Sequence, residues 1–168
     1  IRRQDLQRKA MEEADELVNS DMLEEDRLLV LLGDWSQGII GIIAGKLRDK
    51  YMRPVVVCTW DSKKGYCVGS ARSFDWYDVS GAIGSCKDYL RDFGGHIQAA
   101  GFTLRREYFE DFRRELINHA RQNITIEQMR GELNVDLELS SNNLNWRSIQ
   151  ILADLEPFGK DNETPIYA

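Results

Sequence analysis

The segment Phe93-Gly94-Gly95-His96-Ile97-Gln98-Ala99-Ala100-Gly101-Phe102 concentrates the chemistry of this chain: two adjacent glycines, one of its two histidines and a run of small residues. Paired glycines adopt backbone conformations closed to other residues and leave their N–H groups uncovered. Successive uncovered N–H groups form a concavity suited to an anion, and a histidine beside them adds a donor. A phosphate is the guest such a site would take. A tight turn with a buried, satisfied histidine would show the same residue types. A second group lies upstream in Gly69-Ser70-Ala71-Arg72-Ser73. There the planar guanidinium of Arg72 can grip two phosphate oxygens, and the hydroxyls of Ser70 and Ser73 can add donors. A surface ion pair is the plainer use of an isolated arginine. Trp35, just ahead of Gly38, offers an indole that can stack on a base or fill a core.

These residues need elements to position them. Leu6, Ala10, Ala14, Leu17 and Val18 recur at helical spacing, which predicts an amphipathic opening helix. Arg27 to Leu32 reads as a buried strand, Gly38 to Tyr51 as a helix, and Val55 to Cys58 as a second strand after Arg53-Pro54. The polar turn Asp61-Ser62-Lys63-Lys64-Gly65 then predicts an antiparallel partner over Tyr66 to Arg72. Val79, Ile83, Tyr89 and Leu90 predict a helix that ends before the glycine pair, so the pair is expected on a turn leading into a strand at Ala99 to Leu104. Acidic residues precede basic ones from Glu107 to Arg121, with Phe109, Phe112, Leu116 and Ala120 on one face, the order a helix dipole favours. Val135 to Leu139 alternates as an edge strand would, and Asn145 to Leu155 reads as a shorter helix.

Composition bounds the alternatives. At 168 residues and 42% hydrophobic, the chain can bury a core. It has no apolar run of about eighteen residues and no signal-peptide pattern, so it is expected to be a soluble, cytoplasmic protein without membrane partners. Cys58, Cys67 and Cys86 form no C-x-x-C pair and suggest neither a zinc site nor a disulfide framework. A net charge of −6 excludes a uniformly basic nucleic-acid binder, yet allows a local groove for which Arg105, Arg106, Arg113, Arg114 and Arg121 are candidates. A two-metal phosphoesterase needs clustered aspartates and histidines. Only His96 and His119 are present, with no Asp-His-His run, and His119 reads as a surface residue.

Taken in order, the tryptophan–glycine segment from Trp35 to Ala44, the G-S-x-R-S run, the G-G-H-x-x-A-A-G run and Leu155-Glu156-Pro157-Phe158-Gly159-Lys160-Asp161-Asn162 resemble the DHHA1 domain of RecJ-like single-strand-specific exonucleases, within the DHH phosphoesterases. The resemblance extends from about Arg27 to the end. It implies an α/β fold, a mixed central sheet of about five strands flanked by helices. It also implies that Gly94, Gly95, His96 and Arg72 face the phosphate and sugar of a substrate, supplemented by Ser70 and Ser73, with Trp35 a candidate to touch a base or sugar. Ser36 departs from the pattern, in which a histidine often follows the tryptophan. The expected organisation is a helix or linker over 1–26 from a preceding DHH domain, a DHHA1-like substrate-binding domain over 27–130, and a C-terminal extension over 131–168 that begins an OB-type domain.

On this reading the chain is an excised piece, inactive by itself and without a cofactor of its own. The DHH domain of the parent hydrolase would carry manganese or magnesium. The implied partners are single-stranded DNA or RNA, that DHH domain, and replication or repair proteins. A nanoRNase, a cyclic-dinucleotide phosphodiesterase and a non-catalytic RecJ-like replication scaffold are the alternative parents.

Overall fold

The computed structural model describes residues 2–61, 65–131, 135–143, 145–159 and 161–168. The predicted turn residues Ser62, Lys63 and Lys64, and Lys160 of the late segment, lie outside the described residues. Two compact units are present, Ile1–Arg130 and Gly131–Ala168.

The first unit opens with α1 (Arg2–Glu16) and α2 (Ser20–Glu25), the latter capped by Asn19, whose side chain accepts from the Met22 N–H at 2.9 Å. Strand β1 (Leu29–Gly33) leads through the crossover helix α3 (Gln37–Tyr51) to a parallel partner, β2 (Val55–Asp61). Strand β3 (Tyr66–Arg72) returns antiparallel to β2. Helix α4 (Val79–Ser85) and a single 3-10 turn precede β4 (Leu90–His96), which pairs antiparallel with β5 (Ala99–Leu104), and α5 (Phe109–Asn123) follows. The sheet order is β1-β2-β3-β5-β4, a mixed sheet of five strands, as the resemblance implied.

Side-chain alternation sends the strands' apolar residues to two separate cores. On one face Val30, Val56, Cys58, Ala71, Phe102 and Leu104 meet α4 and α5. On the other, Leu29, Leu31, Val55 and Val57 meet α3, with Ala10 and Ala14 of α1 joining them. Helices α1 and α2 therefore contribute to the core of the first unit, through Ala10, Ala14 and Met22. The unbroken buried run of β2 reflects cover on both faces.

The glycine pair is not on a turn. Gly94-Gly95-His96 forms the end of β4, both glycines lack positive φ, and the reversal falls at Ile97-Gln98 between His96 and Ala99. The helix expected to reach Leu90 stops at Ser85, because strand pairing with β5 claims the chain from Leu90 onward. The N–H concavity expected from a left-handed glycine turn is thus replaced by extended backbone on an edge strand.

In the second unit, α6 (Trp146–Ala153) is capped by Asn145, which accepts from the Ser148 N–H. The strand predicted at Val135 to Leu139 is reduced to an isolated bridge between Leu137 and Tyr167. The side-chain amide of Asn162 donates to the carbonyls of Leu155 and Pro157, which closes the loop around Phe158.

Candidate nucleic-acid interface

Strand register places the predicted residues. Arg72 of β3 sits beside Ala99 of β5, and Ala99 beside His96 of β4; one step along, Ser70, Gly101 and Gly94 form the same kind of row. Partners across a ladder share a face, so Arg72, Ser70, Gly94 and His96 all lie on the α3 side of the sheet. Arg72 and His96 are two strand spacings apart, about 9–10 Å between backbones. Helix α3 packs on β2 and β3, while Gly94, His96 and Gly101 are exposed. The result is an open floor of glycine backbone bordered by an arginine and a histidine.

Arg72 is held from below. Its Nη1 donates to the Ser70 Oγ at 3.1 Å and to the Ala71 carbonyl at 2.8 Å. A Cβ added at Gly41 of α3 would stand 2.9 Å from the Arg72 Nη2 and 3.1 Å from the Ser70 Oγ, so glycine is what lets the helix pass over the guanidinium. Gln37, Gly38, Gly41, Ser70 and Arg72 border a cleft of about 380 Å³. The guanidinium is partly buried, and among the described residues no carboxylate pairs with it. A cation with unused donors and no counter-charge is a receptor for an anion.

The two glycines have different roles. Gly94 has open space where a Cβ would be, whereas at Gly95 a Cβ would come within 2.3 Å of the Ala99 carbonyl oxygen and 2.5 Å of the Ala100 Cα. Gly94 leaves the floor accessible; Gly95 lets β4 close on β5. Gly101, opposite Gly94, and Gly41 are members of this surface that residue type alone did not single out. For Gly101 the signal was alternation: once His96 and Ala99 flank a two-residue turn, Gly94 and Gly101 must face each other.

Two predicted contacts are relocated. Ser73 is fully buried and its Oγ donates to the Tyr77 carbonyl at 2.8 Å, so its hydroxyl does not face the floor. Trp35 is 7% exposed, with its indole N–H donating to Glu13 of α1 at 3.2 Å and its ring packed over Gly33, which makes it a core residue rather than a stacking platform. His119 is half-buried against the Tyr77 hydroxyl, 3.0 Å from Nδ1, and burial raises the Tyr77 ionisation above its ordinary value.

The remaining arginines divide by partner. Arg121 meets Asp26, which is 8% exposed, at 3.0 Å; Arg27 reaches the carbonyls of Arg121 and Ile124 at the end of α5, a position the helix dipole favours for a cation. Arg113 and Arg114 pair within α5, with Glu110 and Asp111, and Arg106 covers the Trp60 ring. None of these lies on the glycine floor.

Among the described residues no group of three His, Cys, Asp or Glu side chains is placed to hold a metal ion. These residues therefore do not fit a divalent-metal centre, and no hydrolytic step is assigned to them. The thiols of Cys58, Cys67 and Cys86 are buried and free, and burial raises the ionisation of each.

Fold and surface together define an α/β domain whose sheet is packed by α4 and α5 on one side and on the other leaves an open floor over β4 and β5, with flanking donors that can hold an anionic ligand. The chain belongs to the DHHA1 domain family, which matches residues 25–124. It is 36% identical over 163 residues to the single-stranded-DNA-specific exonuclease RecJ of Bacillus subtilis, covering 97% of this chain and 21% of that protein. With the Haemophilus influenzae protein of the same name, identity is 33% over 138 residues, covering 80% of this chain and 24% of the relative. The crystal structure of RecJ from Thermus thermophilus in complex with Mn2+ superposes with a TM-score of 0.80 at 26% identity, covering 99% of this chain and 24% of that one. The chain thus spans about a fifth to a quarter of the curated relatives it matches.

Proposed function

We propose that this chain is the strand-holding domain of a RecJ-type exonuclease, acting in the cytoplasm on single-stranded DNA. The observation that carries the reading is Arg72: partly buried, fixed by Ser70, free of any carboxylate among the described residues, and set across a glycine floor from His96. A phosphate of the strand binds Arg72 by charge-assisted hydrogen bonds, His96 donates to the same or a neighbouring phosphate, and Gly94 and Gly101 let the strand approach the sheet. The names and identities of the Bacillus and Haemophilus relatives support single-stranded DNA as the ligand. Magnesium or manganese, with which Thermus RecJ has been crystallised, would be held by residues of the parent outside those described.

In the intact protein, Arg72→Ala and His96→Ala should each weaken oligonucleotide binding by about 1.5–3 kcal/mol, ten- to hundredfold, with the thermal midpoint little changed. Arg121 is a poor control, since its loss would strand the buried Asp26; Arg114→Ala, on the exposed side of α5, serves instead and should leave affinity unchanged. Fluorescence anisotropy at several salt concentrations reads the effect. Unchanged affinity in both variants, with folding intact, rejects the reading.

A further inference from the structure

The Arg72–His96 row is one end of a longer strip. Continuing along the same sheet face, β3 carries Val68 and then Tyr66, while β5 carries Thr103 and then runs on to Arg105. Arg91 lies where the β4 register slips between Leu90 and Asp92, and its guanidinium stands 5.2 Å from the centre of the Tyr66 ring. Strand β5 separates β4 from β3, so Arg91 reaches Tyr66 by lying across the sheet face.

A cleft of about 680 Å³ opens there, with Arg105, Tyr89 and Tyr108 on its border and the two tyrosine rings 6.2 Å apart. Arg91 makes no ion pair among the described residues, and Arg105 meets only Glu107, at 3.9 Å, with both side chains more than 60% exposed. Asp88 and Glu107 also border the cleft and Asp92 lies mid-strip, so net charge alone would attract a polyanion weakly. Arginine laid on an aromatic face, beside the exposed Tyr108 ring and the half-buried Tyr89 ring, is the arrangement that takes bases by stacking while the guanidinium holds a phosphate.

We propose that this end of the strip is a second contact for the same single strand, with Arg91 and Arg105 on phosphate and the tyrosines against a base. The inference rests on the strand-holding function proposed above. Tyr66 and Arg72 are six residues apart on one strand, about 20 Å, which is about six nucleotides at the stacked spacing of ~3.4 Å. A dinucleotide therefore reaches one end only, whereas a decanucleotide spans both.

The test uses the intact protein with metal chelated, and 5′-phosphorylated oligothymidylates of two and ten nucleotides. Arg91→Glu with Arg105→Glu should weaken the decanucleotide at least about tenfold and lower its salt slope by about 1.4, the loss of two phosphate contacts to a single strand, while the dinucleotide is unaffected. Tyr66→Leu should weaken the decanucleotide several-fold with the slope unchanged. Arg72→Ala should weaken both ligands. If Arg72→Ala weakens both but the reversal and Tyr66→Leu leave the decanucleotide untouched, the second contact is rejected and the strand-holding function stands. Equal loss on both ligands in the reversal would also reject it, as a general charge effect. If Arg72→Ala changes neither ligand, the strand-holding function fails and takes this proposal with it. Should the reversal unfold the protein, Arg91→Gln with Arg105→Gln makes the same length comparison.

Discussion

On the side of α4 and α5 the sheet is sealed as far as β5, with only edge strand β4 left open there, where Phe93 is 43% exposed: the rings of Phe102 and Phe112 lie 4.8 Å apart, and Ala71, Leu104 and Leu116 are wholly buried. On the side of α3, cover extends over β1 to β3, and the β5–β4 hairpin shows its backbone through Gly94 and Gly101. The same alternation that sends large apolar residues inward on one face leaves glycine, arginine and histidine on the other. A hairpin can therefore be anchored by one face and offer the second to a ligand, provided the residues that pack and those that stay small alternate in step.

Phe112→Ala attacks the sealed face directly and should cost about 3–5 kcal/mol, seen as a large drop in thermal midpoint. Gly95→Ala is smaller but sharper, because its Cβ would strike the backbone of Ala99 and Ala100. A loss of about 1–3 kcal/mol is expected, and near-wild-type stability would refute the close approach of β4 to β5. Its neighbour should behave oppositely. Gly94→Ala has open space, so stability should stay within about 0.5 kcal/mol while oligonucleotide affinity falls several-fold, as a methyl raises the floor. If Gly94→Ala binds as wild type, the floor is not where the strand lies.

The smallest effect concerns the latch of α1 on α3, on the open side. A hydrogen bond from Lys50, with another from Tyr51, holds the Asp15 carboxyl below its ordinary value against an opposing effect of burial. A carboxylate depressed in the folded state contributes stability above its unfolded value and loses it as pH falls through the folded one. Asp15→Asn should thus lower the thermal midpoint slightly at neutral pH, and the gap to wild type should close on acidification below the ordinary carboxylate range. A gap that persists in acid would assign the effect to packing.

Elements with a strong period or an unbroken apolar run were legible in the sequence: β1, α3, β2, β3 and α5 lie where those signals predict them. The glycine pair was not, because two glycines imitate a turn, and the true turn, Ile97-Gln98, carries none of the residues that mark a two-residue hairpin. Pairing with β5 decided the matter. Of the surface, Arg72, Ser70, Gly94 and His96, which the motifs name, share one face of the sheet. Ser73 and Trp35 were misassigned for a common reason: their partners, Tyr77 and Glu13, are set by tertiary packing that residue type does not encode.

Ser73 has every polar group engaged: its N–H donates to the Gln98 carbonyl at 2.8 Å, its carbonyl accepts from Arg48 at 3.1 Å, and its hydroxyl bonds Tyr77. The Val79 N–H catches the Ile97 carbonyl at 3.0 Å, so both turn residues are tied down. The hairpin tip that carries His96 is therefore bolted to the residue that follows Arg72. Ordering of these two donors is completed during folding, so an incoming strand does not have to freeze the hairpin, and more of each contact's enthalpy remains as affinity.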